Sequence, residues 1–149
     1  MIRKANVNDV KKMQSLINFY AKRDKMLPRS LNELYENIRD FFVYAEGGRI
    51  YGCCALHVDW ENLAEIKSLA VAGAKTGRDI GSRLLRSCLQ DARALRVKKV
   101  FALTYIPEFF ERFGFERISK RKLPHKIWTE CVKCVYFPRC KEIAMMREL

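Results

Sequence analysis

Nowhere in the 149 residues does an apolar run approach the ~20 positions needed to cross a bilayer. The polar opening MIRKANVNDVKK has none of the apolar stretch of a secretory leader, so a soluble, cytoplasmic protein with no membrane partner is expected. Glycine and proline are sparse, at 7 and 4 residues, and the chain has no internal repeat or low-complexity tract. Nothing therefore resembles a linker, and residues 1–149 are expected to form one domain, a length able to bury a core without staples. A second CxxC pair is also missing. Cys131-x-x-Cys134, with Cys140 and His125 nearby, supplies three thiols and an imidazole that could bind zinc, yet one such pair is a weak pattern. Structural thiols are preferred there and no metal is expected.

Acidic residues are the scarce charge. Seventeen Asp and Glu face 29 Lys and Arg, for a net charge of +12. Residues 1–74 carry 11 basic against 9 acidic side chains, and residues 75–149 carry 18 against 8. The second half would concentrate small anionic ligands. It would also attract nucleic acid, which ranks below them as a partner; a solvated surface without a dedicated partner is the plain alternative.

Val10, Met13, Leu16, Ile17 and Tyr20 recur at helical spacing after the capping candidates Asn8 and Asp9. After a break at KMLPRS, Ser30-Leu31-Asn32-Glu33 reads as a capping box that opens a second helix. FFVYAE and RIYGCCALHV are strands joined by Gly47-Gly48 in a tight hairpin. AEIKSLAV alternates as a strand with Ile66, Ser68 and Ala70 on one face and Glu65, Lys67, Leu69 and Val71 on the other. A helix follows, with Ile80, Leu84, Leu85, Cys88, Leu89 and Ala92 as its apolar stripe. KKVFALTY is a further strand, parallel to AEIKSLAV across that helix. PEFFERF is a last helix begun by Pro107 and ended by Gly114, and KEIAMM a closing strand.

The most informative segment is EIKSLAVAGAKTGRDIGSRLLRSCLQDA, residues 65–92. Its hydrophobic period changes from two to about 3.6, so the turn between must present the free N–H groups of a helix start. Such a start favours anions, above all phosphates. Gly77 and Gly81 leave a ligand room to approach the backbone. Strand, glycine turn and helix also occur in ordinary α/β connections, so the motif alone leaves both readings open.

The whole chain resembles a GNAT-type acetyltransferase, and most closely the short, single-domain N-acetylglutamate synthases. The resemblance rests on IRKANVNDV, MLPRSLNELYENIRDF, GGRIYGCCALHV, AEIKSLAV, TGRDIGSRLL, VFALTYIPEFFERFGF, LPHKIW and CVKCVYFPRCKEIAM. It implies an α+β fold: a single mixed, mostly antiparallel sheet flanked by helices on both faces. It implies acetyl-CoA as co-substrate and L-glutamate as acceptor; a homodimer is kept open as an assembly. In that family the turn after the fourth strand usually reads Arg-Gly-x-Gly-x-Gly and cradles pyrophosphate. Here it reads Thr76-Gly77-Arg78-Asp79-Ile80-Gly81, followed by Ser82. Thr76 stands for the usual Arg and Asp79 for a Gly, and a carboxylate there repels phosphate. Weaker cofactor binding is the expectation.

Acetyl transfer to an amine needs a base, a stabilised oxyanion and an acid for the departing thiolate. The resemblance points to Glu65 as base, with His57 second, and to a backbone N–H within Leu69, Ala70 and Val71 for the carbonyl oxygen. The tyrosine that many such enzymes use as acid is replaced here by Phe110. Tyr105 is the nearest phenol, with an ordinary pKa of about 10. A dicarboxylate acceptor favours the planar guanidinium, and the resemblance carries that role to Arg29 and Arg139, with Lys141 third. Another amine acceptor, or a non-catalytic acyl-CoA-sensing or nucleic-acid-associated module, are the alternatives.

Overall fold

The computed structural model describes residues 1–73, 79–123 and 142–149. Strands β1 (Ile2–Lys4), β2 (Phe41–Glu46), β3 (Arg49–Trp60), β4 (Leu63–Val71), β5 (Lys99–Thr104), β6 (Glu116–Ile118) and β7 (Ile143–Glu148) form one sheet in the order β1-β2-β3-β4-β5-β7-β6. Neighbours run antiparallel except β4 and β5, which are parallel. Helices α1 (Val10–Ala21) and α2 (Leu31–Glu36) cover one face. Helix α3 (Ile80–Ala94) and the short α4 (Pro107–Glu111) cover the other. The expected α+β sheet with helices on both faces is what the chain forms.

Local chemistry explains these elements. Gly47 and Gly48 take φ of 55° and 77°, the two positive values a right-twisted two-residue hairpin demands. Val10, Met13 and Ile17 of α1 are fully buried against Val43, Cys53 and Ala55. The Ser30 hydroxyl caps α2 by accepting from the Glu33 N–H at 3.1 Å, whereas the Glu33 carboxylate turns to Arg29. At α1 the expected Asp9 holds the N-cap position but makes no side-chain capping bond. Asn6, not Asn8 or Asp9, leads a 3-10 turn, its side chain accepting from the Asn8 N–H. Asp9 accepts from the Asn6 N–H and from both arms of the Arg3 guanidinium at 2.7 and 3.0 Å. Those bonds hold its carboxyl below the usual range.

The expected alternation of β4 is overturned in its second half. Cys53 pairs with Ala70 but Ala55 pairs with Lys67, so β4 spends an extra residue in a bulge. Ser68 there has φ of 54°. Ala64 and Ile66 face α3, but past the bulge Ala70 faces α1, while Leu69 and Val71 turn toward the α3 side. Ile66 and Ala70 therefore lie on opposite faces, because one inserted residue inverts a period-two pattern.

Helix α3 seats its stripe of Ile80, Leu84, Leu85, Cys88, Leu89 and Ala92 on β3, β4 and β5. The seat depends on Gly52 of β3. A Cβ there would stand 2.9 Å from Leu84 Cδ1 and 3.1 Å from Ile80 Cγ2, both in fully packed side chains. Gly52→Ala should lower unfolding free energy by about 1–3 kcal/mol, the usual range for overpacking. Urea denaturation would show this as a lower midpoint with an unchanged slope.

Candidate active site

Hydrogen-bonded pairing of β4 with β5 runs from Leu63↔Lys99 to Ile66↔Ala102 and stops, although β4 continues to Val71 and β5 to Thr104. The strands diverge into a cleft of about 550 Å³. Glu65 through Val71 form one wall, and Leu103 to Ile106 with Phe109 and Phe110 the other. Gly81 lies at the start of α3, and Lys25 to Leu27 with Arg29 close the side from the α1–α2 connection.

The bulge is braced from several directions. The Tyr20 hydroxyl on α1 donates to the Val71 carbonyl. Arg29 Nε donates to Ser68 Oγ at 3.3 Å, its terminal nitrogen meets Glu33 at 3.2 Å, and its own carbonyl accepts from Gln14 at 3.1 Å. A long cationic side chain is thereby held in one place beside the cleft, with the ordering cost of binding already met.

Glu65, Tyr105 and Arg29 all line this cleft, together with Leu69, Ala70 and Val71. Glu65 is 8% exposed, so its carboxyl is largely removed from water. Phe110 is buried edge-to-face against Phe109 and Phe115 and carries no proton to donate. His57 is the cross-strand partner of Glu65 but is not on the cleft wall. Its Nδ1 lies 2.6 Å from Asp40 Oδ2. That bond, opposed by partial burial, raises its pKa, which suits a retained proton better than a base.

Thr76, Gly77 and Arg78 lie outside the described residues, as do Arg139, Lys141, His125, Cys131, Cys134 and Cys140. Of the rest of the proposed phosphate turn, Gly81 lines the cleft. The side chains of Ile80 and Ser82 are buried, Ile80 in the core under α3. Asp79 is the exposed N-cap of α3 at φ of 63°, makes no side-chain capping bond, and stands 3.7 Å from Arg86. The first bond of the helix joins the Arg83 N–H to the Asp79 carbonyl at 3.0 Å. The amides of Ile80, Gly81 and Ser82 thus precede that bond, where a helix start offers its donors.

Among the described residues no three potential metal ligands cluster. Cys53, Cys54 and Cys88 are free, buried thiols. Burial pushes Cys53 up to about 12, and mutual contact with Cys88 together with burial raises Cys54. Neither Cys53 nor Cys54 is suited to act as a thiolate. The cleft also includes Tyr20, Lys25, Lys67 and Glu142, which the sequence reading gave no role. Tyr20 belongs to an apolar helical stripe, and only the packing of α1 on the sheet reveals that its hydroxyl reaches β4.

A model of the acetyltransferase (GNAT) family matches residues 7–115. An uncharacterized N-acetyltransferase of Chlorobaculum tepidum is 37% identical over 148 residues, covering 99% of this chain and 96% of its own. An amino-acid acetyltransferase of Mycobacterium tuberculosis is 37% identical over 133 residues, covering 87% of this chain and 76% of its own. Among solved structures, a Mycobacterium tuberculosis protein in complex with CoA superposes with a TM-score of 0.86 at 31% identity, covering 100% of this chain and 99% of its own. The N-acetylglutamate synthase of Neisseria gonorrhoeae, complexed with coenzyme A and N-acetyl-glutamate, gives 0.92 at 28% identity; the match covers 100% of this chain but only 35% of the synthase.

The Asp40–His57 pair makes a prediction about pH. A raised folded-state pKa stabilises the protein fully below the ordinary histidine value of about 6.5, and that contribution is lost as pH rises through the raised value. Asp40→Asn should lower the His57 pKa, read from its imidazole proton resonances, and flatten stability across that window. An unchanged titration would disprove the assignment.

Proposed function

The chain belongs to the acetyltransferase (GNAT) family, acyltransferases that use acetyl-CoA, and from that premise we propose that its acceptor is the α-amine of L-glutamate. The observation that carries this reading is the meeting, in one cleft, of a buried carboxylate on β4 and a guanidinium fixed beside it, Glu65 and Arg29. Two relatives are named an amino-acid acetyltransferase and an N-acetylglutamate synthase, names that support an amino-acid acceptor. The proposal places the protein among the N-acetylglutamate synthases, which supply the first acetylated intermediate of arginine biosynthesis.

In this mechanism Arg29 binds a carboxylate of glutamate, joined by Arg139 and Lys141 as expected from the resemblance. Glu65 takes a proton from the ammonium, directly or through water, leaving a neutral amine. The nitrogen attacks the thioester carbonyl, whose developing oxyanion accepts from a backbone N–H within Leu69 to Val71. Collapse of the tetrahedral intermediate breaks the C–S bond. Tyr105 protonates the departing thiolate and recovers its proton from solvent. Transfer is direct, since the described thiols are buried and raised pKa values keep Cys53 and Cys54 protonated. The turn 76–82 receives the pyrophosphate through backbone amides.

Mass spectrometry of the products formed from acetyl-CoA with glutamate, aspartate, glutamine or lysine tests the acceptor. N-acetylglutamate should dominate, and Arg29→Ala should raise the KM for glutamate about tenfold or more, the loss of one charge-assisted pair. Preference for another amine, or an unchanged KM, would refute the assignment.

Asp79→Gly should tighten acetyl-CoA binding several-fold. It removes a carboxylate from the phosphate turn and places glycine in a left-handed conformation that asparagine, aspartate and glycine alone accept readily. The dissociation constant from calorimetry provides the check.

A further inference from the structure

Three cations, Lys25, Arg29 and Lys67, and two carboxylates, Glu65 and Glu142, stand among the described residues that line the cleft. The cations are not equally free to take a ligand. Arg29 already meets the Glu33 carboxylate and the Ser68 hydroxyl. Lys25 is exposed on the α1–α2 connection. Lys67 is half-buried within β4, and its ammonium makes no hydrogen bond or ion pair with any described residue. Its neighbour His57 is a further cation in waiting, since Asp40 raises the imidazole pKa and Lys67 opposes that rise. A half-buried charge without a counter-charge is a cost that a bound anion removes.

The register of β4 fixes where this charge stands. Glu65 pairs with His57 and Lys67 with Ala55 in the regular part of the β3–β4 ladder. Both side chains therefore leave the same face of the sheet, about 7 Å apart along the strand at 3.3–3.4 Å per residue. Ser68 follows at the bulge, with Arg29 bonded to it. The order along this wall is carboxylate, ammonium, guanidinium. An amine bound at Glu65 thus has a positive charge beside it. An acceptor that brings only an amine meets repulsion there. An α-amino acid instead brings a carboxylate on the very carbon that bears the amine, and a distal carboxylate extends further, toward Arg29.

We propose that Lys67 binds the α-carboxylate of the acceptor and so restricts the enzyme to free α-amino acids, leaving the side-chain carboxylate to Arg29. This role, which rests on glutamate being the acceptor, gives each of the three charges of that molecule its own partner on one wall of the cleft. It also makes polyamines and protein lysines poor acceptors, because the same ammonium that attracts a carboxylate repels an unaccompanied amine.

Steady-state kinetics, with acetylated product detected by mass spectrometry, would compare L-glutamate with two amides. L-Glutamine keeps the α-carboxylate and L-isoglutamine keeps only the side-chain one. The proteins are wild type, Lys67→Gln, Lys67→Arg, and Lys11→Gln as a charge-matched control on the exposed side of α1. Wild type and Lys11→Gln should favour glutamate over isoglutamine about tenfold or more in kcat/KM, the scale of a charge-assisted contact. Lys67→Gln should raise the KM for glutamate and for glutamine by that factor, while isoglutamine turnover and the acetyl-CoA dissociation constant stay unchanged. Lys67→Arg should restore most of the preference. A preference for glutamate over isoglutamine that survives in Lys67→Gln overturns the proposal. So does a loss that spares glutamine and falls on isoglutamine, which would put Lys67 on the side-chain carboxylate, and so does an equal loss on all three acceptors, the mark of a structural effect. Wild type that acetylates other amines but none of these three sinks the glutamate assignment itself, and the role of Lys67 with it.

Discussion

Two parallel strands that share a ladder for four residue pairs and then part company impose the central constraint on this molecule. A strand edge without a partner is a row of backbone donors and acceptors that must be satisfied by something else. The sheet makes this arrangement stable by fixing β4 firmly on its other side. Pairing with β3 resumes beyond the bulge, from Ala70 to Val71, the Tyr20 hydroxyl secures the Val71 carbonyl, and Arg29 holds the Ser68 hydroxyl. The wedge is thus rigid on the β4 side, while α4 and the end of β5 form the opposing wall. Rigid placement matters for acyl transfer, since an oxyanion donor displaced by an ångström loses most of its effect.

Much of the scaffold was legible in the chain. The stripes of α1 and α3, the Gly47-Gly48 hairpin and the apolar strands β3 and β5 obey simple periods, and each forms where that period places it. The three-residue strands β1 and β6 are too short to carry a pattern. Asn6 was hidden because its cap serves a 3-10 turn ahead of the helix. The bulge was hidden for a deeper reason: AEIKSLAV alternates well enough in composition to look like a regular strand, and serine at positive φ leaves no compositional mark. The site divides in the same way. Glu65 and Arg29 were named through resemblance and Tyr105 as the phenol nearest the missing acid, and the fold gathers all three around one cleft. Lys25 and Glu142 line the same cleft by tertiary placement alone, from a loop and from the approach to β7.

Electrostatics bears on the start of α3 as well. The excess of positive charge in the second half of the sequence is not spread evenly over the surface, because four arginines gather along one flank of α3. Asp79, the apparent misfit of the phosphate turn, lies between that flank and the helix start, partly neutralised by Arg86. Its exposed side chain points its charge into high dielectric, where a repulsion that would be severe in the interior falls to a fraction of its strength. An exposed carboxylate at the start of α3 therefore leaves the free amides of Ile80, Gly81 and Ser82 as donors.

The burial of Cys53, Cys54 and Cys88 has a consequence for an enzyme whose every turnover releases a free thiol. Coenzyme A exchanges with protein disulfides and, once oxidised, with accessible thiolates, at rates set by access and by thiolate fraction. Two of these sulfurs are held as thiols by raised pKa values, and all three are enclosed under α1 or α3. The described core is thereby insulated from its own product: accumulation of oxidised coenzyme leaves these positions without mixed disulfides unless the sheet and its covering helices first come apart.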